Sequence, residues 1–491
     1  MKRLLLAFLL LFTLSALQAK EIIIYHTSDT HGHYFDSKNT NGKLQGGFAA
    51  LASYIEKNSE KFPNYLLLDS GDFIQGDLEA NKSKGQSSIG IYNTLGYNAL
   101  TIGNHEFDFG TALDKITPKL KADVLVANFE GIKNSKPYKI YEVDGVKIAV
   151  IGIGLNGDRN KTYKELDTFA SYKKAIEAAA KQNPDATILL IHASNHDLRK
   201  VTTPQQLVAS TPYNVDVALG GHMHIIDIET VGSTLYVESG AYLENISQIE
   251  LTFDDKTGKL TKTKAKTIPM LVSKTGQDAK VKALTDAVQN PLYDVEIASS
   301  KYSYNYEASK KGYLDTQLAN FMTCLFKDEA QSMGAHIDFG LLNTKNLRSD
   351  IPKGPVLARN ILTAIPYDNT LATTKISGQF LEDLIKGSLN KDFSLFQFCG
   401  AKVKAYFKGD TLDRLDITIN GQPVIKDKIY DVATNSFIAI QNTYEAAPFK
   451  AVPAKDRHKY DKTIREILAT GLNIANQKKP YIGNIKIIEK K

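Results

Sequence analysis

The chain has 491 residues, 43% hydrophobic and 23% charged, with two cysteines and a formal charge of +6. These are ordinary globular values, enough for two domains with buried cores. The small charge, with no dense Lys/Arg block, excludes a footprint for a nucleic-acid polymer, and two cysteines are too few for a thiolate metal cluster.

Residues 1–19 read as a secretory signal. Lys2 and Arg3 form a basic start, Leu4 to Leu17 is almost entirely apolar, and Ala19 offers a small residue before a cut at Lys20. An apolar run of about fourteen is short against the roughly twenty residues a spanning helix needs. No Cys follows the leader, and no later stretch is apolar for long enough to span a bilayer. The mature chain is therefore expected outside the cytoplasm, in a periplasm where the cell has one, without a membrane anchor.

From residue 20 to 272, short β-rich runs alternate with amphipathic helices, the pattern of an α/β domain. Strands are expected at 22–26, 65–68, 99–102, 124–127, 147–151, 187–191, 215–219 and 235–238, and helices at 48–58 and 171–182. Residues 246–253 and 260–268 flank Asp254-Asp255-Lys256-Thr257-Gly258, a hairpin turn that closes this domain. Residues 273–291 read as a polar connector helix stopped by Pro291. A second mixed α/β domain is expected over 292–491, with a β-like run at 295–302, a helix at 313–331 and a final helix at 462–476. Cys324 falls in a helix-like run and Cys399 in a strand-like one. An exported pair is either one disulfide or two buried thiols.

The chemistry is concentrated just past the apolar strands of the first domain, where open α/β sheets assemble their sites. Four places there offer oxygen or nitrogen ligands: Asp29-x-His31, Asp72, Asn104-His105, and His192 with His222-x-His224. One histidine after a strand is ordinary; the joint pattern is not. Alternate residues of an extended segment face the same way, so Asp29 is expected to converge with His31, and His222 with His224. Gly220 and Gly221 let that backbone pass close to an ion. Carboxylate, imidazole and amide oxygen without thiolate suit Mn²⁺, Zn²⁺ or Co²⁺. Asp29, His31, Asp72, Asn104, His192, His222 and His224 exceed what one tetrahedral ion uses, so two divalent ions sharing Asp72 are expected. His105 then stays off the metal, as an acid held by Asp108. Asp108 is equally placed to cap the helical run after Phe109-Gly110-Thr111.

With these residues in view, the blocks His26–Gly32, Gly71–Gly76, Gly103–Asp108 and Gly220–His224 resemble the signatures of the calcineurin-like metallophosphoesterases. Within them they resemble the 5′-nucleotidase branch, which includes secreted nucleotidase/UDP-sugar hydrolases and 2′,3′-cyclic-nucleotide phosphodiesterases. The resemblance implies a four-layer α/β/β/α sandwich followed by a substrate-recognition domain. It implies that Asp29, His31, Asp72 and His224 hold one ion, that Asp72, Asn104, His192 and His222 hold the other, and that His105 and Asp108 are the catalytic pair. In the second domain it implies substrate contacts from Asn343, Arg348, Tyr367 and Phe437, with the two aromatics sandwiching a base. Gln441-Asn442-Thr443 stands where the family carries a ribose-binding Gly-Gly-Asp. The expected activity is release of phosphate from a nucleotide. A cyclic phosphodiesterase and a UDP-sugar hydrolase are alternatives within the class, and a periplasmic metal or nucleotide binder without turnover is the alternative outside it.

Overall fold

The computed structural model describes residues 20–39, 41–156, 162–197, 201–307, 312–389, 395–409, 411–441, 444–474 and 477–489. The expected signal at 1–19 lies outside them. The chain divides into two compact units, Met1–Gln289 and Asn290–Lys491.

The first unit is built on two sheets. One has seven strands, in the order Leu260–Pro269, Asn245–Phe253, Lys20–Thr27, Tyr65–Asp69, Ala99–Leu100, Asp123–Leu125 and Ser135–Lys136. The other has six, in the order Ile226–Val231, Thr234–Ser239, Val217–Gly220, Ala186–Ile191, Val146–Ile153 and Tyr138–Val143. Strand periodicity decides the layering. Ile22 and Ile24 join Leu66, Leu68, Ile148, Val150, Ile188 and Leu190 in a core between the sheets. Ile23, Tyr25 and Leu67 point the other way, into a core shared with helix Phe48–Ser59. On the far side, Ala149, Ile151 and Leu189 meet Tyr172, Ala175 and Ile176 of helix Thr168–Ala180. The result is an α/β/β/α sandwich. The central strands are apolar on both faces, which is why they read as continuous hydrophobic runs rather than alternating ones.

The segment expected as one connector helix over 273–291 forms two short helices, Val272–Thr275 and Ala279–Val288. The second is capped by Asp278, whose carboxylate accepts from the Val281 amide at 2.6 Å. Val281 and Thr285 are buried, and the helix packs against Phe48–Ser59 and Ser87–Leu95. Enough of its surface is apolar to make it a layer of the first unit.

The second unit has a five-stranded sheet containing Phe339–Asn343, Thr370–Ser377 and Ile429–Asn435, and a four-stranded sheet containing Ala401–Lys408 and Thr411–Ile419. Helix Gln317–Ser332 is capped by Thr316 and buries Leu318, Met322 and Phe326. Cys324 on this helix is disulfide-bonded to Cys399 on strand Phe396–Cys399, with Cα atoms 5.0 Å apart, so the pair is oxidised rather than two free thiols. The final helix is Ile464–Leu472, opened by a capping box between Thr463 and Glu466. Residues 475–476 of the expected helix lie outside the described residues. Among the described residues no helix is long and apolar enough to cross a membrane.

Candidate active site

The loops at the carboxyl ends of the central strands bring the first-unit residues together. Asp29, His31 and His224 form one group of ligand atoms, and Asp72, His192 and His222 form a second, each within 4.8 Å internally. The groups adjoin: His192 Nε2 lies 3.2 Å from Asp72 Oδ2 and 3.8 Å from Asp29 Oδ1, and His31 Nε2 lies 3.7 Å from Asp72 Oδ2.

The local backbone differs from the extended segments expected. Asp29, His31, Asp72, His222 and His224 all have left-handed φ, at 51°, 48°, 58°, 80° and 59°. Convergence comes from these kinks, not from strand alternation. As a result His222 and His224 part company, one joining Asp72 and the other Asp29. The glycines also have a different reason. A Cβ on Gly221 would collide with Ser28 Oγ and crowd Asp29, and one on Gly103 would collide with the Asp72 carboxylate. They admit neighbouring loops rather than an ion.

Hydrogen bonds aim the rings. His31 Nδ1 donates to the Gln75 carbonyl at 2.7 Å, and His192 Nδ1 donates to the Ser70 carbonyl at 2.6 Å. A carbonyl only accepts, so both protons sit on Nδ1 and each Nε2 faces the centre. His31 Nε2 is 3.1 Å from His224 Nε2. The Nε2 of His192 is close to Asp72 yet out of line for a hydrogen bond, and Asn104 Oδ1 is buried with no partner. Buried polar atoms left unpaired beside two carboxylates fit divalent cations, once the His192 Nε2 proton is released, and are costly without them.

The charges agree. Burial would raise Asp29, but His192 and His224 outweigh it and hold it at about 2. Burial would also raise Asp72, but His192 and His105 hold it well below the usual carboxylate range. Burial would lower His192, but Asp72 and Asp29 push it up to about 10, while burial takes His31 down to about 3. Two buried carboxylates thus favour the charged form of the His192 imidazole between them.

His105 lies beside this centre, its ring 5.1 Å from that of His31. Its Nδ1 donates to Asp108 Oδ2 at 2.7 Å, and its backbone N–H donates to Asp72 Oδ1 at 2.8 Å. Asp108 is used on the imidazole: the following 3₁₀ turn, Gly110–Ala112, has no side-chain cap.

Glu106 has a role that sequence reasoning missed. Wholly buried, it accepts from the backbone N–H groups of Asp72 (2.8 Å) and Gly103 (2.6 Å) on one oxygen, and of Phe73 (2.7 Å) and Ile74 (3.2 Å) on the other. Burial first, and then the charge of Asp72, push this carboxyl up to about 8 against the pull of the N–H donors. Both oxygens act only as acceptors here, an arrangement that favours the carboxylate form. It ties the Asp72 loop to the Asn104-His105 loop. A Glu between two site residues was its signal.

In the second unit, Asn343 is buried and accepts from Asn346 Nδ2. Asn346 in turn accepts from Asn369 at 2.9 Å, and Asn369 accepts from Ser436 Oγ at 3.4 Å. This chain joins the three segments that carry Asn343, Tyr367 and Phe437. Arg348 is exposed and donates to Tyr367 Oη at 2.8 Å. Phe437 is half-buried against a core that includes Ile438 and Phe449.

The comparisons with known proteins agree with this geometry. The family profile described as calcineurin-like phosphoesterase matches residues 22–225, and that described as 5′-nucleotidase, C-terminal domain, matches residues 296–447. A 5′-nucleotidase of Diplobatis ommata is 24% identical over 89% of this chain and 85% of its own length. A trifunctional nucleotide phosphoesterase of Bacillus subtilis is 25% identical over 85% of this chain, which spans only 32% of that protein. The crystal structure of a 5′-nucleotidase precursor from Thermus thermophilus superposes with a TM-score of 0.82 at 22% identity, covering 96% of this chain and 100% of that one. The first unit is thus a calcineurin-like phosphoesterase domain. The second unit narrows the class, and the chain belongs to the 5′-nucleotidase family.

Proposed function

We propose that the protein is an exported 5′-nucleotidase with a dinuclear metal centre, releasing nucleoside and phosphate from nucleotides. The observation that carries the reading is the adjacency of two three-ligand groups, one of them built on Asp72, beside a His105–Asp108 pair whose side chains belong to neither group. Asp29, His31, Asp72 and His224 would hold one ion, and Asp72, Asn104, His192 and His222 the other. Divalent cations there supply Lewis acidity toward phosphoryl oxygens and lower the pKa of an attacking water. The chain's own residues do the rest. The Gln75 and Ser70 carbonyls keep His31 and His192 in one tautomer and orientation. Asp108 holds the His105 proton on Nδ1, so Nε2 can carry a second proton to the leaving oxygen. Simple metal capture has no use for such a pair, which weighs against a binder without turnover. In the second unit, Tyr367 and Phe437 would stack on a base, with Arg348 and Asn343 fixing polar groups. Similarity to proteins named as 5′-nucleotidases and nucleotide phosphoesterases supports the substrate class. Export rests on the leader read from residues 1–19.

The test is phosphate release from 5′-AMP, 3′-AMP, cyclic 2′,3′-AMP and UDP-glucose with Mn²⁺ or Zn²⁺. A nucleotidase hydrolyses 5′-AMP best. Preference for the cyclic ester or the UDP-sugar would move the assignment to those alternatives, and metal binding with no hydrolysis across the panel would make the protein a binder.

A further inference from the structure

A second constellation of ligand-type side chains lies at the edge of the six-stranded sheet, on residues not used above. Its components are His196, Asp227 and Glu229, whose ligand atoms lie within 4.8 Å of one another. Asp227 and Glu229 are alternate residues of the edge strand Ile226–Val231, so both project from one face of it. His196 reaches them from the loop after strand Ala186–Ile191, placing Nε2 3.1 Å from Asp227 Oδ2. The preceding residue, Asn195, donates to Glu229 Oε1 at 2.9 Å, which fixes that carboxylate toward the loop.

The neighbouring strand supplies an independent observation on the same face. Glu238 stands directly opposite Asp227 in the antiparallel pair, and therefore on the same face. It is only 6% exposed, and its Oε2 has no hydrogen-bond partner. Burial first, and then the charges of Asp29 and Asp227, push its carboxyl up to about 8. At neutral pH it is therefore held mostly protonated, facing Asp227. Among the described residues no Lys or Arg forms an ion pair with Asp227, Glu229 or Glu238; the half-exposed His196 is the one basic group that does. Three carboxyl groups and one imidazole thus crowd one sheet face, with a buried oxygen unsatisfied.

We propose that His196, Asp227 and Glu229 form a third cation site, peripheral to the dinuclear centre, for a divalent ion of the Zn²⁺ or Mn²⁺ kind. One imidazole and two carboxylates suit such ions, and the solvent side leaves room for water to complete the shell. Its positive charge offsets Asp227 and favours the ionised form of the facing Glu238. It also clamps residues 192–197 to the edge strand. That loop begins with His192 and ends with Asp197, whose carboxylate lies 3.5 Å from His222 Nε2. Occupancy of the outer site therefore stiffens the mounting of two inner ligands without touching substrate.

The test is metal content after equilibrium dialysis at graded free Zn²⁺, for the wild type and for an Asp227→Asn/Glu229→Gln variant. The expected result is one equivalent fewer in the variant at saturation, with the inner complement retained. His196→Ala, at a half-exposed loop position, should lose the same equivalent and serves if the double variant does not fold. The difference should persist in an Asp72→Asn background, so the outcome is independent of what the inner centre hydrolyses. Equal equivalents in wild type and His196→Ala across the Zn²⁺ range would overturn the proposal.

Discussion

Replacing Glu106 by Gln tests whether the site is held up from beneath. The carboxylate accepts four backbone N–H groups, two on each oxygen. An amide keeps one acceptor oxygen and turns an NH₂ group toward the other two donors. Two hydrogen bonds to a charged acceptor are lost, and two buried N–H groups are left facing a donor. Each buried unsatisfied group costs about 1–3 kcal/mol, so the first unit should lose about 2–6 kcal/mol. For a unit of this size that lowers the melting temperature by about 4–24 °C. Differential scanning calorimetry reads the shift, and phosphate release reads the consequence for the Asp72 and Asn104-His105 loops. Turnover should fall together with metal affinity, because the variant moves ligands. A variant that melts within about 2 °C of wild type with unchanged affinity would show that the buried carboxylate is not what joins these loops.

Three further outcomes follow from the site and the core. His105→Ala should keep its metal and lose turnover by about 10²–10⁴-fold, as expected for a lost general acid; an unchanged rate would remove the assigned role. Metal affinity should rise with pH between 6 and 8 by up to about tenfold per unit, measured by chelator competition. The sign follows because His192, pushed up to about 10 by Asp72 and Asp29, is charged in the metal-free fold and must release a proton to free Nε2. A flat profile would mean that His192 does not ligate. Reducing the Cys324–Cys399 bond reopens a loop of sequence separation 75, which should cost the second unit about 4 kcal/mol, read by denaturant melts with and without reductant.

Much of this molecule was legible in its sequence because apolar strands announce themselves and ligand types are few. Ile22 to Ile24, Leu66 to Leu68 and Ile188 to Leu190 could hardly be anything but buried strands, and the polar residues after them mark the strand ends. Element boundaries were less legible. Thr101 and Ile102 continue an apolar run yet lie beyond strand Ala99–Leu100, because the chain turns there to meet the Asp72 loop. The packing of residues 279–288 was not legible from composition: a helix with only a few apolar residues looks solvent-borne until two neighbouring helices are found on that side. Glu106 was passed over because its partners are backbone amides, which no side-chain pattern records. The pairing of His222 with Asp72 and of His224 with Asp29 needs left-handed backbone at five non-glycine positions, a feature that residue types alone do not declare.

Those five positions change how the usual mutagenesis of this centre should be read. At Asp29, His31, Asp72, His222 and His224 the side chain that would grip a cation is also a Cβ held where L-residues are uncomfortable, at roughly 1–2 kcal/mol apiece. Alanine there deletes the donor atom and leaves the backbone penalty in place, whereas glycine deletes both. Alanine and glycine at one position should therefore bind metal equally poorly yet melt at different temperatures, glycine higher. The gap between the two, measured residue by residue, would map how much of the fold's stability is held in reserve at the loops that grip the ions.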